Sequence, residues 1–218
     1  MLLPENYTVK HRNVKHARLR VHEDGSVCLF VPNNFTDEEI RKVLEMKAQW
    51  IASKRLYFQQ KEKILLQRNE LLLFGNRYVY FYSSRFKNKV VIDKEGKTIQ
   101  AKRNLLDKMV QEQWLKKVAG KYIRSRVAEL SNKLMLPFNK LFIRSQKNKW
   151  GNCSVGKNIS INWRIIRAPM FVIDYVIIHE LCHTMIMKHT VKFETLLNSH
   201  YTDYKQAQVW LDKFGNSL

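Results

Sequence analysis

Residues Tyr175 to Glu194 read YVIIHELCHTMIMKHTVKFE, and the spacing of the histidines in that stretch decides how the rest of the chain is read. His179 and His183 are one helical turn apart and, at about 100° per residue, only about 40° apart around the axis, so both imidazoles can hold one metal ion. Glu180 is displaced from that line by one residue, which places its carboxylate beside the metal rather than on it, as a general base toward a water bound there. His189 follows ten residues after His179, about 15 Å along an unbroken helix, too far to share a ligand sphere. The helix must therefore end between His183 and His189, although residues 184–188, TMIMK, contain no Gly or Pro to end it. His189 is the preferred third ligand, with Glu194, His200 or Asp203 in reserve. Three protein ligands would leave the fourth tetrahedral position open, as in a catalytic zinc site, so one Zn²⁺ per chain is the expected cofactor. Histidines packed into a core are the competing reading. Against it, an HExxH pattern arises by chance in roughly one such chain in a hundred, and four of the seven histidines fall between His179 and His200. Cys182 points away from the metal on the same helix and reads as a small buried thiol.

Working outward, Pro169 sits where this apolar helix, 170–186, can begin, and 190–214 reads as one or two further helices. Upstream, Ile159, Ile161, Trp163 and Ile165 alternate with polar residues, predicting a strand over 158–165 with one buried face. It is preceded by a loop, QKNKWGNCSVGK, and by a strand at 140–145. A long helix is predicted from about Asn104 to Met135, with Leu106, Val110, Trp114, Val118, Ile123, Val127 and Leu130 as its apolar stripe, ending before Pro137. Residues 70–101 carry the runs LLLF, YVYFY, VVID and TIQA, expected as a second group of short antiparallel strands. At the N-terminal end, Tyr7 to Val31 reads as a β-hairpin or small meander turning at Asp24-Gly25. Thr36 with Glu39 forms a capping signature ahead of Ile40, Val43, Leu44, Ala48 and Ile51, predicting one amphipathic helix over 37–64. The best boundary lies at 102–104, separating a basic, β-rich region 1–102 from a catalytic domain 103–218.

Composition narrows the function classes. With 218 residues, 45% hydrophobic, the chain has enough apolar material for a sizeable core, which excludes disorder as the main state. Lys and Arg number 39 against 19 acidic residues, a net charge of +20, so a polyanionic partner such as DNA is expected. The basic residues are spread along the chain and form no single run, so a solvated basic surface is the competing reading. The most apolar stretch, near Met170 to Ile178, is interrupted by Asp174 and falls short of the ~20 residues of a bilayer span, so no membrane role is expected. Three cysteines, and a start MLLPENYTVKHR that shows no charged head followed by an apolar stretch, lead to the expectation of a cytoplasmic protein.

Two stretches together resemble the YgjP-like metal-dependent hydrolases, relatives of the SprT/Wss group of zincin metallopeptidases. One is IRSQKNKWGNCS, Ile143 to Ser154, followed by NISINWRIIRAP; the other is HELCH with KHTVKF, His179 to Phe193. The meander RLRVHEDGSVCLFVP and a helix containing KAQWI extend the likeness to nearly the whole chain, with small departures such as Asn152 where Ser is commoner. The resemblance implies an α+β fold: a zincin-like domain with its active-site helix under a small antiparallel sheet, preceded by a mostly β region with one long helix. It implies zinc on His179, His183 and His189, with Glu180 activating water. It also implies that strand 158–165 lies above the metal helix, antiparallel to an extended peptide or protein substrate that binds along the strand's exposed edge. Arg144, Lys149, Trp150, Asn162 and Arg164 are the candidate substrate contacts on this reading, with Lys147 a further nearby cation. Trp150 alternatively serves as a packed aromatic. The transition-state stabiliser is left open among Tyr201, Tyr204, His200 and Arg164.

A zinc metallopeptidase is thus the leading expectation, and the basic charge together with the likeness to the SprT/Wss group extends it to action on proteins associated with DNA. The runner-up is a pyrophosphatase acting on uridine triphosphate, an activity attributed to some YgjP-like proteins, although no Gly-rich phosphate loop or carboxylate cluster for Mg²⁺ is present. A basic nucleic-acid-binding module with a structural or vestigial zinc site is the third.

Overall fold

The structure, a computed structural model, describes residues 6–22, 24–59, 64–86 and 89–218. It divides into two compact units, residues 1–62 and 63–218. In the first, β1 (Tyr7–His11), β2 (Arg18–Val21) and β3 (Val27–Val31) form a sheet of order β1-β3-β2. β2 and β3 are the expected hairpin, in register Arg18↔Phe30. Gly25 adopts φ +81° at the turn, and the Asp24 carboxylate accepts from the Ser26 amide at 2.9 Å. The unit is not a meander, because β1 runs parallel to β3 and places the chain start beside the second strand of the hairpin.

Thr36 forms the expected capping box, its hydroxyl accepting from the Glu39 amide at 3.3 Å while its own amide donates to the Glu39 carboxylate at 2.8 Å. The single helix expected over 37–64 is two helices, α1 (Asp37–Met46) and α2 (Ala48–Gln59), and residues 60–63 lie outside the described residues. Lys47 leaves helical geometry at φ −100°, ψ 3°. Ile40 and Leu44 of α1 and Ile51 of α2 join Val21, Val27, Leu29 and Val31 in a small core.

The second unit opens with β4 (Glu70–Leu73), β5 (Asn76–Tyr82), β6 (Val90–Asp93) and β7 (Thr98–Ala101). These are two antiparallel hairpins, but β5 and β7 join them in parallel, so the order is β4-β5-β7-β6 and the sheet is mixed rather than antiparallel. α3 (Lys108–Leu134) follows, capped by the Asp107 carboxylate and closed by Met135 in the left-handed region, φ 55°. Its buried stripe is Leu115, Ala119, Ile123, Val127 and Leu130, so the expected stripe holds in the second half, while Trp114 and Val118 are only half-buried and Leu106 is exposed. Leu71, Leu73, Tyr78, Tyr80 and Ile99 share one core with that stripe. The division therefore falls at 62/63 rather than at 102–104: the β4–β7 sheet needs α3 to cover its apolar face.

β8 (Leu141–Arg144), β9 (Gly151–Cys153) and β10 (Ile159–Asn162) make a third sheet of order β8-β10-β9. β10 pairs parallel with β8 and antiparallel with β9, so this sheet too is mixed. The strand expected over 158–165 stops at Asn162 and passes into a 3₁₀ turn, Trp163–Arg167. All four of its residues are buried. β10 is the central strand, and its expected exposed edge and exposed face are both covered.

Helices α4 (Met170–Cys182), α5 (Val191–His200) and α6 (Tyr204–Phe214) complete the unit. Arg126 of α3 ties α4 in place by a two-pronged pair to Asp174, at 2.8 and 2.7 Å. The β4–β5 turn clamps the chain just ahead of α4: the Phe74 amide donates to the Ile166 carbonyl and the Gly75 amide to the Arg167 carbonyl, both at 2.9 Å. Among the described residues no helix is long and apolar enough to cross a membrane.

Gly75 has φ +74°, and a Cβ there would lie 2.7 Å from Pro169 Cγ. A side chain at this position meets both backbone strain and overlap with the start of α4. Gly75→Ala is expected to lower unfolding free energy by about 2 kcal/mol or more, read from urea denaturation; a loss below a few tenths would show that the turn does not hold α4.

Candidate metal centre

α4 is apolar on nearly every side, with Val172, Ile173, Val176, Ile177, Ile178 and Leu181 buried, so its few polar groups are held where the helix meets its neighbours. Tyr175, His179 and His183 recur every four residues along one face. The helix ends at Cys182 without Gly or Pro. Its last turn tightens instead, the Thr184 amide donating to the Leu181 carbonyl at 2.9 Å and the Met185 amide to that of Cys182 at 3.0 Å. The Thr184 hydroxyl adds a second donor to the Leu181 carbonyl at 2.8 Å. Carbonyls left unpaired at a helix end are satisfied this way, by i→i+3 bonds and side-chain donors.

The chain then doubles back and delivers His189. The Nε2 atoms of His179, His183 and His189 converge, with separations of 3.2 Å (His179–His183), 3.1 Å (His183–His189) and 3.0 Å (His179–His189). His183 Nδ1 donates to the Ile186 carbonyl at 3.0 Å, which fixes the tautomer and leaves Nε2 with a free lone pair. Burial lowers the pKa of His179 to about 3, with His183 and His189 adding to the effect. Burial also lowers that of His183, the Ile186 carbonyl opposing. Neutral imidazoles are the ligating form. Tetrahedral bonds of about 2.0–2.1 Å to nitrogen set ligand atoms roughly 3.3 Å apart, close to the separations found, so the three residues fit a divalent cation of zinc's size. His189 is exposed and opens the centre to solvent on its side. The reserve ligands Glu194, His200 and Asp203 stand outside the cluster.

Phe193, buried in the first turn of α5, touches all three rings: stacked on His183 at 4.4 Å and 25°, and edge-on to His179 at 5.0 Å and His189 at 4.9 Å. Sequence reading gave it no task; the signal was an aromatic residue four positions after His189 in an otherwise mostly polar run.

Glu180 is 5% exposed, and its Oε2 has no protein partner among the described residues. Burial pushes its pKa up to about 8, with Lys149 pulling the other way. Gly151 of β9 lies directly against it, where a Cβ would overlap the Glu180 carboxyl group. The glycine of the WGNCS motif is therefore required by close approach of the carboxylate, not only by a turn. The rest of the loop is held by Asn162, whose side-chain amide donates to the carbonyls of Gln146 at 2.8 Å and Lys149 at 3.0 Å. Asn162 is buried and engaged with backbone, which leaves it no free donor for a substrate.

The other candidates are scattered. Lys149 is exposed at the Glu180 end of the loop. Trp150 is half-buried and packs on Gly215. Arg144 is exposed with its guanidinium 4.9 Å from the Phe142 ring, and Arg164 lies 4.7 Å from the Trp163 ring. The Tyr201 hydroxyl donates to the Phe171 carbonyl at 2.9 Å and Tyr204 is buried in the core. Cys182 is fully buried and burial raises its thiol to about 12, an inert form.

Three imidazoles meeting at one point, with a buried carboxyl beside His179 on the same helix, are the donor set of a mononuclear metal-dependent hydrolase. The chain belongs to the YgjP-like family, whose metallopeptidase domain matches residues 15–214. Among solved structures, it is similar to the metallopeptidase zymogen jannalysin of Methanocaldococcus jannaschii, at 23% identity, over 41% of this chain and 92% of that one, with a TM-score of 0.37. No curated protein matches the chain.

Between about pH 4.5 and 8 a folded, metal-free chain keeps the Glu180 proton that the unfolded chain has already lost. Stability falls as pH rises wherever the folded state binds more protons, so this carboxyl costs stability progressively across that window. The urea midpoint of metal-free Glu180→Gln is expected to gain on wild type from pH about 5 to about 8; a gap that stays constant with pH would contradict a raised carboxyl.

Proposed function

We propose that this protein is a zinc-dependent metallopeptidase in which Glu180 is the general base. The convergence of His179, His183 and His189 beside a buried, unpartnered carboxyl carries the reading. A zinc ion held by the three imidazoles supplies Lewis acidity toward a scissile carbonyl and an attacking water. Glu180 takes the proton from that water and passes it to the leaving amine, a shuttle for which a carboxyl pKa raised toward neutrality is suited. Gly151 gives the carboxylate room, and Phe193 keeps the three rings from rotating apart.

On this reading an extended substrate adds to β9 rather than to β10, which is paired on both sides. β9 is an edge strand of its sheet and carries Gly151 against Glu180, so an extended peptide adding to it runs past the base. Lys149, exposed two residues before Gly151, lies close enough for its charge to act on Glu180. Residues 63–218 hold 28 of the 39 Lys and Arg but 11 of the 19 acidic residues, which supports action near nucleic acid. All three cysteines are free thiols, consistent with a reducing compartment such as the cytoplasm.

Cleavage of an unfolded protein such as casein, followed by gel and mass spectrometry, tests the reading. Glu180→Gln is expected to lose activity at least about a hundredfold while retaining one zinc per chain, and His189→Ala to lose both metal and activity. Release of pyrophosphate from a nucleoside triphosphate with no protein cleavage would replace the peptidase by a pyrophosphatase. Full activity in Glu180→Gln would leave a structural metal.

A further inference from the structure

The 3₁₀ turn Trp163–Arg167 and the facing part of α3 gather positive charge around one indole. Arg164 Cζ lies 4.7 Å, Lys116 Nζ 5.7 Å and Arg167 Cζ 6.0 Å from the centroid of the Trp163 ring. Trp163 is 4% exposed and its Nε1 donates to the Ser145 hydroxyl at 2.8 Å, so the ring is a fixed platform. The acid that faces the group is Glu112, paired with Lys116 at 2.7 Å.

Arg167 is the anomaly. Its Nε is buried with no partner among the described residues, and neither Arg164 nor Arg167 makes a side-chain hydrogen bond or an ion pair there. Arg167 as a whole is half-buried, but a buried N–H ordinarily finds an acceptor, because taking a donor out of water without one is costly. Burial, and after it the charge of Arg164, lowers the Arg167 pKa to about 10, with Glu112 opposing. Attraction to an aromatic face does not use the N–H donors of a guanidinium, so both forks keep theirs free. The backbone is set in advance: Asn162 caps the turn by accepting from the Arg164 amide at 3.2 Å, and the Arg167 carbonyl accepts from Gly75 at 2.9 Å.

We propose that Arg164, Arg167 and Lys116 around Trp163 form a binding site for a phosphate group. Three cations and one carboxylate sum to a local charge of about +2, which a phosphate monoester or free phosphate dianion neutralises. Arginine forks match phosphate oxygens in pairs, and a site already rigid loses little entropy on binding. The site stands on α3 and the 3₁₀ turn, which supply no metal ligand, and its existence does not depend on the peptidase reading. The phosphate is either a free ion, which supplies that charge by itself, or belongs to a nucleic-acid backbone, where two neighbouring diester groups of one charge each supply it.

Titration of the whole chain with inorganic phosphate by calorimetry, at ionic strength held constant with NaCl, tests the site. Saturable binding is expected in wild type and in His189→Ala, where the metal centre is disabled. At least tenfold weaker binding is expected in Arg167→Lys, which keeps charge but loses the fork, and in Arg164→Gln. Circular dichroism checks that each variant is folded, and Lys116→Gln, at an exposed position of α3, replaces any that is not. Absence of saturable binding in wild type, equal affinity in the folded variants, or loss of binding in His189→Ala alone overturns the proposal. Fluorescence anisotropy with labelled duplex DNA separates the two sources. DNA binding weakened by the same substitutions and competed by phosphate assigns the site to the backbone; phosphate binding lost with DNA binding unchanged assigns it to free phosphate.

Discussion

Three imidazole nitrogens have to meet at one point, and the C-terminal half of the chain is arranged around that constraint. Two of them come cheaply, because a helix places residues four apart on one face. The third requires the helix to stop immediately after His183 and the chain to reverse within six residues. Thr184 provides the stop by taking the Leu181 carbonyl with its hydroxyl, and His183 steadies the reversal through its bond to Ile186. Phe193 then wedges against all three rings from the start of α5. Burial beside an apolar helix favours the uncharged form of each group, so it lowers the pKa values of His179 and His183 and raises that of Glu180.

The small sheet above α4 serves the same centre from the other side. Its middle strand, β10, is buried and paired along both edges, so it is a support; β9 is the edge strand that brings Gly151 against Glu180. Asn162, at the end of β10, joins the parts. Its amide holds the Gln146–Lys149 loop and its carbonyl oxygen caps the 3₁₀ turn that carries Arg164 and Arg167. One buried side chain thus sets the geometry of the loop beside Glu180 and of the cation group around Trp163.

The metal motif, the capped α1, the β2–β3 hairpin and the long α3 were legible in the sequence because each rests on short-range periodicity or on a cap within three residues. His179, His183 and Glu180 needed only a helix, and His189 needed only a break whose necessity followed from distance, though not its cause. Sheet topology was not legible. Alternating residues announce strands, but parallel pairing of β1 with β3 and of β5 with β7 is chosen by which apolar faces can be covered, a long-range matter. For the same reason the unit boundary fell at 62/63, where the β4–β7 sheet joins the α3 core, and not at the composition break near 102.

The sequence by itself determined the donor pattern: two histidines at helical spacing and a carboxylate one step off their line, since those relations survive in any fold that keeps the helix. Tertiary structure alone decided which strand is the edge, that Asn162 is a clasp rather than a contact, that Gly151 is small because Glu180 lies on it, and that Phe193 and an unpartnered Arg167 matter at all. Each of these depends on residues far apart in the chain being pressed together, and no local pattern encodes a neighbour that arrives only on folding.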